Sequence, residues 1–467
     1  MLHGMRRSSL GARLGLACFM GGLALAGAGS ARANGRYPAA GLVALDPSDP
    51  LHIVVRATYG LVSTQDGGLT WRWVCEQSVG FSDNEDPMVA ITQNGTLLAG
   101  VFKGLAVSTD RACDWTFVGG ELADRYAVDL STEKGDPSRA VAILSNGIGG
   151  GKFKTQVFES LDNGGTWTQA GVNLPEDFLG LTIDAAPSDP QRLYASGRFG
   201  AMDGYAGALE RSVDRGATWE RFDIPGADDK HPPYLSAVDP NNPDVVYVRL
   251  DAAEADSLVV SKDGGATWET AFEGEAGLLG FALSPDGSKV AVGGDKDGLW
   301  IAPTETLAFT KVSNIEVRCL LWSGDTIFAC ADEFEDGFHV GTSKDEGKTF
   351  QALENLAEIC PLECGAETTT GAQCPVRWGA LALTIDATSC EDPDAGTGAG
   401  GSGAGASGAG AGGGTTPPSG DGCGVAGGSG SGGCGIGGGS FVGGAALLGT
   451  AAFLAAARRT RRKRPRR

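Results

Sequence analysis

The sequence predicts an all-β protein, a seven-bladed β-propeller of four-stranded antiparallel blades, and a repeated turn motif is the main reason. The pattern Ser-x-Asp-x-Gly-x-Thr-Trp recurs along residues 41–354 at spacings of about 41–52 residues, the length of one propeller blade. Short alternating runs of apolar and polar residues, separated by Pro, Gly, Asn and Asp, favour strands over helices. We call each copy of the pattern a repeat turn.

Six repeat turns keep the aspartate, and a seventh is placed by spacing alone at Phe309. The six pairs of aspartate and aromatic residue are Asp66 and Trp71, Asp110 and Trp115, Asp162 and Trp167, Asp214 and Trp219, Asp263 and Trp268, and Asp345 and Phe350. In the copy that ends at Trp115, Ala112 and Asp114 take the Gly and Thr places.

The residue types of the repeat turn indicate a structural role. The aspartate can accept hydrogen bonds from turn amides and from the Ser or Thr hydroxyl, and the glycine can adopt a positive φ. The tryptophan can bury a large face between sheets. We therefore expect the repeat turns to stabilise the fold, at the turn between the third and fourth strand of each blade.

The fourth blade illustrates the predicted strands: Leu181–Asp184, Arg192–Ser196, Ala208–Ser212 and Thr218–Phe222. After the propeller, residues 355–392 form a predicted Cys-rich closing segment, which we expect to brace the join between the first and last blades. It contains one strand-like run, Ala380–Ile385. Residues 393–435 are nearly all Gly, Ala, Ser, Thr and Pro, which predicts a flexible linker.

Both ends of the chain resemble targeting segments of exported proteins. Residues 1–33 have two early arginines, an uncharged run and a small-residue cleavage site, as in a secretory signal peptide. Residues 436–457 are uncharged and long enough for a transmembrane helix, and the Arg-rich residues 458–467 predict a cytoplasmic tail. We expect a protein of the cell envelope or cell surface, anchored or sorted through the C-terminal helix.

Eight cysteines lie between residues 34 and 392, and an even number in an exported domain favours disulfides. A zinc site at Cys360 and Cys364 is the less favoured alternative, because few histidines accompany them. If Gly324-Asp325 is a two-residue hairpin turn, Cys319 and Cys330 lie opposite one another on paired strands. We expect this pair to be bonded.

The charge of the chain excludes nucleic acid as a partner. The formal net charge is −20, although the two ends hold twelve of the 37 Lys and Arg residues and no acidic residue, so the 57 acidic residues face 25 basic ones in between. Such a domain repels polyanions. The loops opposite the repeat turns carry much of this charge, and the candidate ligand face comprises Asp203, Asp251, Asp256, Asp295, Asp297, Asp332 and Asp336.

Three uses of this acidic face remain open from the residues alone: Ca²⁺ binding by carboxylates, binding of a basic peptide, or a solvated rim. Asp295 to Gly298 and Asp332 to Gly337 are the best calcium candidates, but neither has the twelve-residue spacing of a specific calcium loop. We therefore assign no cofactor and no metal ligand, with Ca²⁺ as the alternative.

The repeat turn resembles the Asp box, or BNR repeat, of sialidases, photosystem II assembly-factor propellers and sortilin-type receptors. The assembly-factor and sortilin-type resemblance implies binding to other polypeptides. Arg36-Tyr37-Pro38 is similar to the sialidase Arg-Ile-Pro motif, but no tyrosine follows Tyr247 and an arginine cluster is not apparent. Xyloglucan-cleaving relatives are much longer and pair two propellers.

The C-terminal order of Gly-rich linker, Cys423, small-residue helix and Arg cluster resembles the MYXO-CTERM sorting signal, which implies display on the cell surface. Together these features predict an exported surface protein: a monomeric propeller that binds an extracellular protein or glycan through its acidic loop face without catalysis. The alternatives are a glycoside hydrolase, sialidase-like or of another Asp-box type, and a structural surface-coat protein. We assign no catalytic residue.

Overall fold

The computed structural model describes residues 38–82, 85–201, 204–387 and 390. These residues form seven sheets, and each sheet contains four strands that follow one another in the chain and pair antiparallel. The first strand of each blade neighbours the first strand of the next, and the first strand of blade 7 neighbours that of blade 1. The ring is therefore closed, and the predicted seven-bladed all-β propeller is confirmed.

The first three blades contain β1 to β12. Their bounds are β1 Ala40–Leu45, β2 Ile53–Ala57, β3 Gly60–Thr64 and β4 Trp71–Val74; β5 Met88–Ile91, β6 Leu97–Val101, β7 Gly104–Ser108 and β8 Thr116–Phe117; β9 Ala127–Glu133, β10 Asp136–Gly149, β11 Lys152–Ser160 and β12 Thr168–Gln169. A short helix, α1 (Glu76–Val79), joins blades 1 and 2.

The remaining four blades contain β13 to β28. Their bounds are β13 Phe178–Ala185, β14 Leu193–Ala201, β15 Gly204–Ser212 and β16 Glu220–Asp228; β17 Pro233–Val238, β18 Val246–Leu250, β19 Ser257–Ser261 and β20 Glu269–Glu273; β21 Gly280–Leu283, β22 Lys289–Gly294, β23 Gly298–Pro303 and β24 Thr310–Ser313; β25 Cys319–Ser323, β26 Thr326–Cys330, β27 Val340–Ser343 and β28 Gln351–Glu354. A second short helix, α2 (Glu333–Asp336), lies between β26 and β27.

The core consists of apolar layers between neighbouring blades, because the middle strands of each blade are covered on both faces. The strand β2, for example, sends Val54 toward blade 2 and Val55 toward blade 7. The final aromatic residue of every repeat turn packs into the layer shared with the preceding blade: Trp71, Trp115, Trp167, Trp219, Trp268, Phe309 and Phe350. One aromatic residue per blade thus joins each sheet to its neighbour.

Five of the repeat turns share one set of hydrogen bonds, which blade 5 illustrates. The hydroxyl of Ser261 donates to Asp263 (2.8 Å) and accepts from the amide of Gly265 (2.7 Å). Asp263 also accepts from the amide (2.8 Å) and the hydroxyl (2.7 Å) of Thr267. These bonds lower the pKa of Asp263 to about 2, the side-chain bond from Thr267 contributing most. The aspartate and the serine hydroxyl thereby hold the turn together.

Two successive residues with positive φ give the six repeat turns that keep the aspartate their shape. In blade 5 they are Gly264 (72°) and Gly265 (103°). In the degraded copy the same places are held by Arg111 (60°) and Ala112 (72°), which adopt the left-handed region despite their side chains. The turn geometry therefore persists where the glycine has been lost.

The residues after blade 7 bind back onto blade 1. A short strand, β29 (Ile359–Pro361), pairs in parallel with β4 and makes blade 1 five-stranded. Blade 1 also contacts blade 7 directly, because the indole N–H of Trp71 donates to the carbonyl of Leu353 at 3.0 Å. The two ends of the ring are therefore joined by backbone pairing and by side chains.

The strand predicted over Ala380–Ile385 is wrong, because these residues belong to a helix and its C-terminal cap. After α3 (Thr369–Gln373), α4 spans Pro375–Thr384 with the proline in its first turn. Leu381 is buried whereas Leu383 is 87% exposed. A short apolar run fits either a strand or a helix by period alone, and here the longer helical stretch that begins at Pro375 decides.

Four disulfides occur among the described residues. Cys319 and Cys330 lie directly opposite one another on β25 and β26 and are bonded. The other three involve the segment after blade 7: Cys75 with Cys374, Cys113 with Cys364, and Cys360 with Cys390. Blades 1 and 2 are thus each cross-linked to this segment. Cys360 and Cys364, the pair considered for zinc, are each bonded to a different cysteine.

The segments predicted as signal peptide (1–33), flexible linker (393–435), transmembrane helix (436–457) and cytoplasmic tail (458–467) lie outside the described residues. Among the helices that the structure does describe, none has the length and apolar character needed to span a bilayer.

Candidate functional site

The candidate site lies on the loop face, which we define as the face formed by the turns between second and third strands and by the connections between blades. In an antiparallel blade this face is opposite the repeat turns. Blades 3 and 4 extend farthest toward it, because β10 and β14 have 14 and 9 residues whereas β18 has 5. The hairpins β10–β11 and β14–β15 thus project beyond their neighbours on this face.

Beside these hairpins, two aromatic side chains are exposed together. Phe102, in the turn between β6 and β7, and Tyr126, just before β9, have ring centroids 5.3 Å apart and are 41% and 44% exposed. Arg125 anchors this connection by donating to Asn146 and to the carbonyl of Lys154, both at 3.0 Å. We call Glu85, Phe102, Arg125 and Tyr126 the aromatic cluster.

Glu85 is the acidic member of the aromatic cluster. Its carboxylate accepts a hydrogen bond from the amide of Phe102. Burial raises the pKa of Glu85 to about 7, against the opposing effects of backbone hydrogen bonds and of Lys103. A carboxyl group that keeps its proton near neutral pH can donate that proton to a leaving group, which is the role of a general acid.

A second cluster lies at the connections around blade 5, and it contains two of the predicted ligand-face residues. Asp256 is buried and accepts from Arg249 (3.1 Å) and from the amides of Ala252 (2.8 Å) and Leu278 (2.9 Å). Its carboxylate is therefore occupied in holding two connections together. Burial raises the pKa of the neighbouring Asp251, and the charge of Arg249 opposes this shift.

Asp295 and Asp297, predicted as a calcium loop, differ in environment. Asp297 is 5% exposed and accepts from the amide of Glu275 at 2.7 Å, so it ties the connection before blade 6 to the turn between β22 and β23. Asp295 is exposed and lies near Glu316, whose pKa it helps to raise. The two side chains thus do not share one environment as a calcium loop would require.

The third acidic group surrounds Arg318 in blade 7. Asp332 caps α2 through the amide of Phe334 (2.9 Å) and pairs with the guanidinium of Arg318 (2.5 Å). Asp336 accepts from the amide of Glu316 at 2.8 Å. Burial raises the pKa values of Glu316 and Asp336, and the proximity of Asp332 raises both further. Most of these carboxylates fix the local backbone.

The described members of the candidate ligand face lie in three local groups, at blades 5, 6 and 7. Asp203 lies outside the described residues, Asp251 and Asp256 lie at blade 5, and Asp332 and Asp336 lie at blade 7. Within the parts of the chain that the structure describes, no three His, Cys, Asp or Glu side chains converge to hold a metal ion.

Comparison with known proteins finds similarity to a xyloglucanase. No family model matches the chain. Over 239 residues it is 33% identical to a xyloglucanase from a Paenibacillus species, a match that covers 43% of this chain and 22% of the relative. The chain thus spans about a fifth of that relative's length. The similarity fits the glycoside hydrolase alternative better than the non-catalytic binding module predicted from the sequence.

The solved structures similar to this chain include two GH74 enzymes and a peptide-bound protein. A GH74 enzyme from Niastella koreensis has a TM-score of 0.39 and 14% identity, covering 68% of this chain and 66% of that chain. An ancestral GH74 enzyme has a TM-score of 0.46 and 18% identity, covering 62% and 40%. YCF48 bound to a D1 peptide has a TM-score of 0.36 and 16% identity, covering 55% and 74%. These likenesses concern the fold only.

Sequence reasoning did not select the aromatic cluster. Glu85 was one acidic residue among many on the predicted loop face, and its pKa depends on burial that arises only when the chain folds. Phe102 and Tyr126 are 24 residues apart in the chain, on different blades. The one available signal was an aromatic residue in the predicted turn between the second and third strands of blade 2.

Proposed function

We propose that the chain is a glycoside hydrolase that acts on a xyloglucan-type polysaccharide bound at the loop face. The observation that carries this proposal is the 33% identity over 239 residues with a xyloglucanase. The aromatic cluster supports it, since exposed aromatic rings provide flat apolar surfaces for sugar rings, with an ionisable group beside them. Glu85 is the proposed proton donor.

The raised pKa of Glu85 supports this role. Glycoside hydrolysis needs a protonated carboxyl group at the leaving oxygen and a second carboxylate on the other side of the bond. With a pKa of about 7, Glu85 holds its proton in the neutral range, and activity should fall as the pH rises above 7. Asp86, the next residue and 3.5 Å from Arg56, is the first candidate for the second carboxylate.

The test is the release of reducing ends from xyloglucan, with Glu85→Gln as the diagnostic variant. Loss of a general acid should lower the rate by about 10²- to 10⁴-fold while leaving polysaccharide binding in place. Glu254→Gln, which removes an exposed carboxylate elsewhere on the loop face, is the matched control and should retain full activity. An active Glu85→Gln variant would exclude Glu85 as the acid.

A non-catalytic polysaccharide-binding module is the second candidate. It is favoured by the exposed rings of Phe102 and Tyr126, which offer flat apolar surfaces to sugar rings whether or not a bond is cleaved. The same assay separates the two functions: retention on insoluble xyloglucan without sugar release indicates a binding module. In that case Phe102→Ala should weaken retention about tenfold, the equivalent of about 1.4 kcal/mol.

We also propose that the protein is exported and held at the cell envelope. Four disulfides among the described residues support this, because disulfides persist in oxidising compartments. Protease treatment of intact cells tests it: digestion of the propeller without lysis is expected, and protection until lysis would contradict surface display.

A further inference from the structure

Arg125 lies where the strand pairing of blade 3 ends. It precedes β9, and β9 pairs with β10 only as far as the pair of Ala127 and Leu144. Beyond Leu144, β10 continues toward the tip of the hairpin with no strand partner on the β9 side among the described residues. The rest of the hairpin β10–β11 therefore depends on other contacts to hold it beside the connection before β9.

The guanidinium of Arg125 makes such contacts with both strands of the hairpin. Its Nε donates to Asn146 on β10 at 3.0 Å. Its terminal nitrogens donate to the carbonyl of Lys154 at 3.0 Å and to the side chain of Gln156, both on β11. A guanidinium presents its donors in a fixed planar fork, so three acceptors on two strands determine where Arg125 lies relative to the hairpin.

The residues on either side of Arg125 are fixed together with it. Asp124 has a φ of 54°, in the left-handed region, which is unfavourable for a residue with a Cβ. Such a conformation persists where the surrounding contacts impose it. After Arg125, the carbonyl of Tyr126 accepts a hydrogen bond from the amide of Ser145 in the hairpin at 3.1 Å. Side chain and backbone thus both attach this connection to the hairpin.

Tyr126 carries this arrangement into the rest of the aromatic cluster. The centroid of its ring lies 5.3 Å from that of Phe102, and the amide of Phe102 donates to Glu85. Direct contacts therefore run from the hairpin through Arg125, Tyr126 and Phe102 to the proposed proton donor. Tyr126 is the first exposed ring in this series, so a displaced hairpin would change the surface offered to a sugar before it changed the carboxyl group.

We propose that Arg125 is a positioning residue for polysaccharide binding: it fastens the hairpin β10–β11 to the connection before β9 and thereby fixes the ring of Tyr126 for contact with a sugar. The inference rests on the proposed function, because it concerns the same site. Arg125 acts through Tyr126 and does not itself contact the polysaccharide. Lysine cannot replace it, since one ammonium group does not reproduce a planar fork that spans two strands.

The test measures KM and kcat for the release of reducing ends from xyloglucan by Arg125→Lys. We expect KM to rise about tenfold and kcat to change less than about twofold, as for the loss of an interaction that contributes to binding alone. The matched control is Arg192→Lys, which should change neither constant. Arg192 also donates to two side chains, those of Tyr194 and Asp244, but it lies on the side of the repeat turns.

A double-mutant cycle distinguishes positioning from a general loss of stability. In a Tyr126→Ala background, Arg125→Lys should raise KM no further, because the ring that Arg125 positions is absent. Hydrogen exchange gives a second readout that needs no substrate. Arg125→Lys should speed exchange of the Ser145 amide, which donates to Tyr126, and should leave the Gly265 amide of a repeat turn unchanged.

An unchanged KM for Arg125→Lys, in a protein that cleaves xyloglucan, would overturn the positioning role and leave the proposed function intact. Additive effects of Arg125→Lys and Tyr126→Ala on KM would also overturn it, because Arg125 would then act independently of the ring. If the protein binds xyloglucan without cleaving it, dissociation constants replace KM and the same order of variants is expected. A lack of both binding and cleavage of xyloglucan would overturn the proposed function and the positioning role together.

Discussion

Removing the disulfide between Cys75 and Cys374 should cost more stability than removing the one between Cys319 and Cys330. Both pairs are buried, so the mutations to Ala leave comparable gaps. They differ in the loop that they close. Cys319 and Cys330 are 11 residues apart, for which the chain-entropy model gives about 3 kcal/mol at 25 °C.

For Cys75 and Cys374 the relevant loop is shortened by the disulfide between Cys113 and Cys364. With that bond intact, the ring that the Cys75–Cys374 bond closes in the unfolded chain has two arms, with sequence separations of 38 residues (Cys75 to Cys113) and 10 residues (Cys364 to Cys374). The same model gives about 4 kcal/mol for this ring. Removing both the Cys75–Cys374 and the Cys113–Cys364 disulfides should cost about 10 kcal/mol, which is comparable with the whole free energy of unfolding of many domains.

Urea unfolding followed by tryptophan fluorescence measures these differences, because Trp71 and Trp73 lie in the same apolar layer as Cys75. We expect the order wild type, Cys319→Ala/Cys330→Ala, Cys75→Ala/Cys374→Ala, from most to least stable. The four-alanine variant that lacks both bonds to blades 1 and 2 should not accumulate as folded protein. A lower free energy of unfolding for Cys319→Ala/Cys330→Ala than for Cys75→Ala/Cys374→Ala would refute the reasoning.

Three further predictions concern the fold. Asp263→Ala should lower the unfolding temperature, because it leaves hydrogen-bond donors of the repeat turn unpaired. Asp325→Ala, in an exposed hairpin turn, should not lower it. Equal unfolding temperatures for the two variants would contradict a structural role for the repeat turn. Burial raises the pKa of Asp129 to about 8, so its contribution to stability is complete below about pH 4 and is lost as the pH rises through 8. Urea midpoints at about pH 5 and about pH 8.5 should therefore differ less in Asp129→Asn. Leu381→Glu should destabilise the protein and Leu383→Glu should not, since only the first is buried; similar losses from both would contradict the one-sided packing of α4.

The repeat turn allowed the sequence to predict the number of blades, because its aspartate, hydroxyl and glycine interact with one another and need no distant partner. The hairpin pair Cys319 and Cys330 was predictable for the same reason: a two-residue turn determines which residues are opposite. Even the seventh copy could be located, since Phe309 takes the aromatic place between blades 5 and 6.

The functional surface could not be predicted in this way, because its contacts form between loops of different blades. Asp256 and Asp297 appeared to be ligand-facing carboxylates in the sequence, yet each accepts hydrogen bonds from the amide of a separate connection. Whether an acidic loop residue faces solvent or a backbone amide depends on the path of the neighbouring loop.

The attachment of the final segment determines how the propeller would bear mechanical load. Tension applied to the chain beyond Cys390 passes through the disulfide to Cys360, which lies on β29 beside blade 1. From there the bond between Cys364 and Cys113 transmits it to blade 2. A pull from the C-terminal side of Cys390 therefore acts on covalent cross-links before it reaches the pairing of β28 in blade 7.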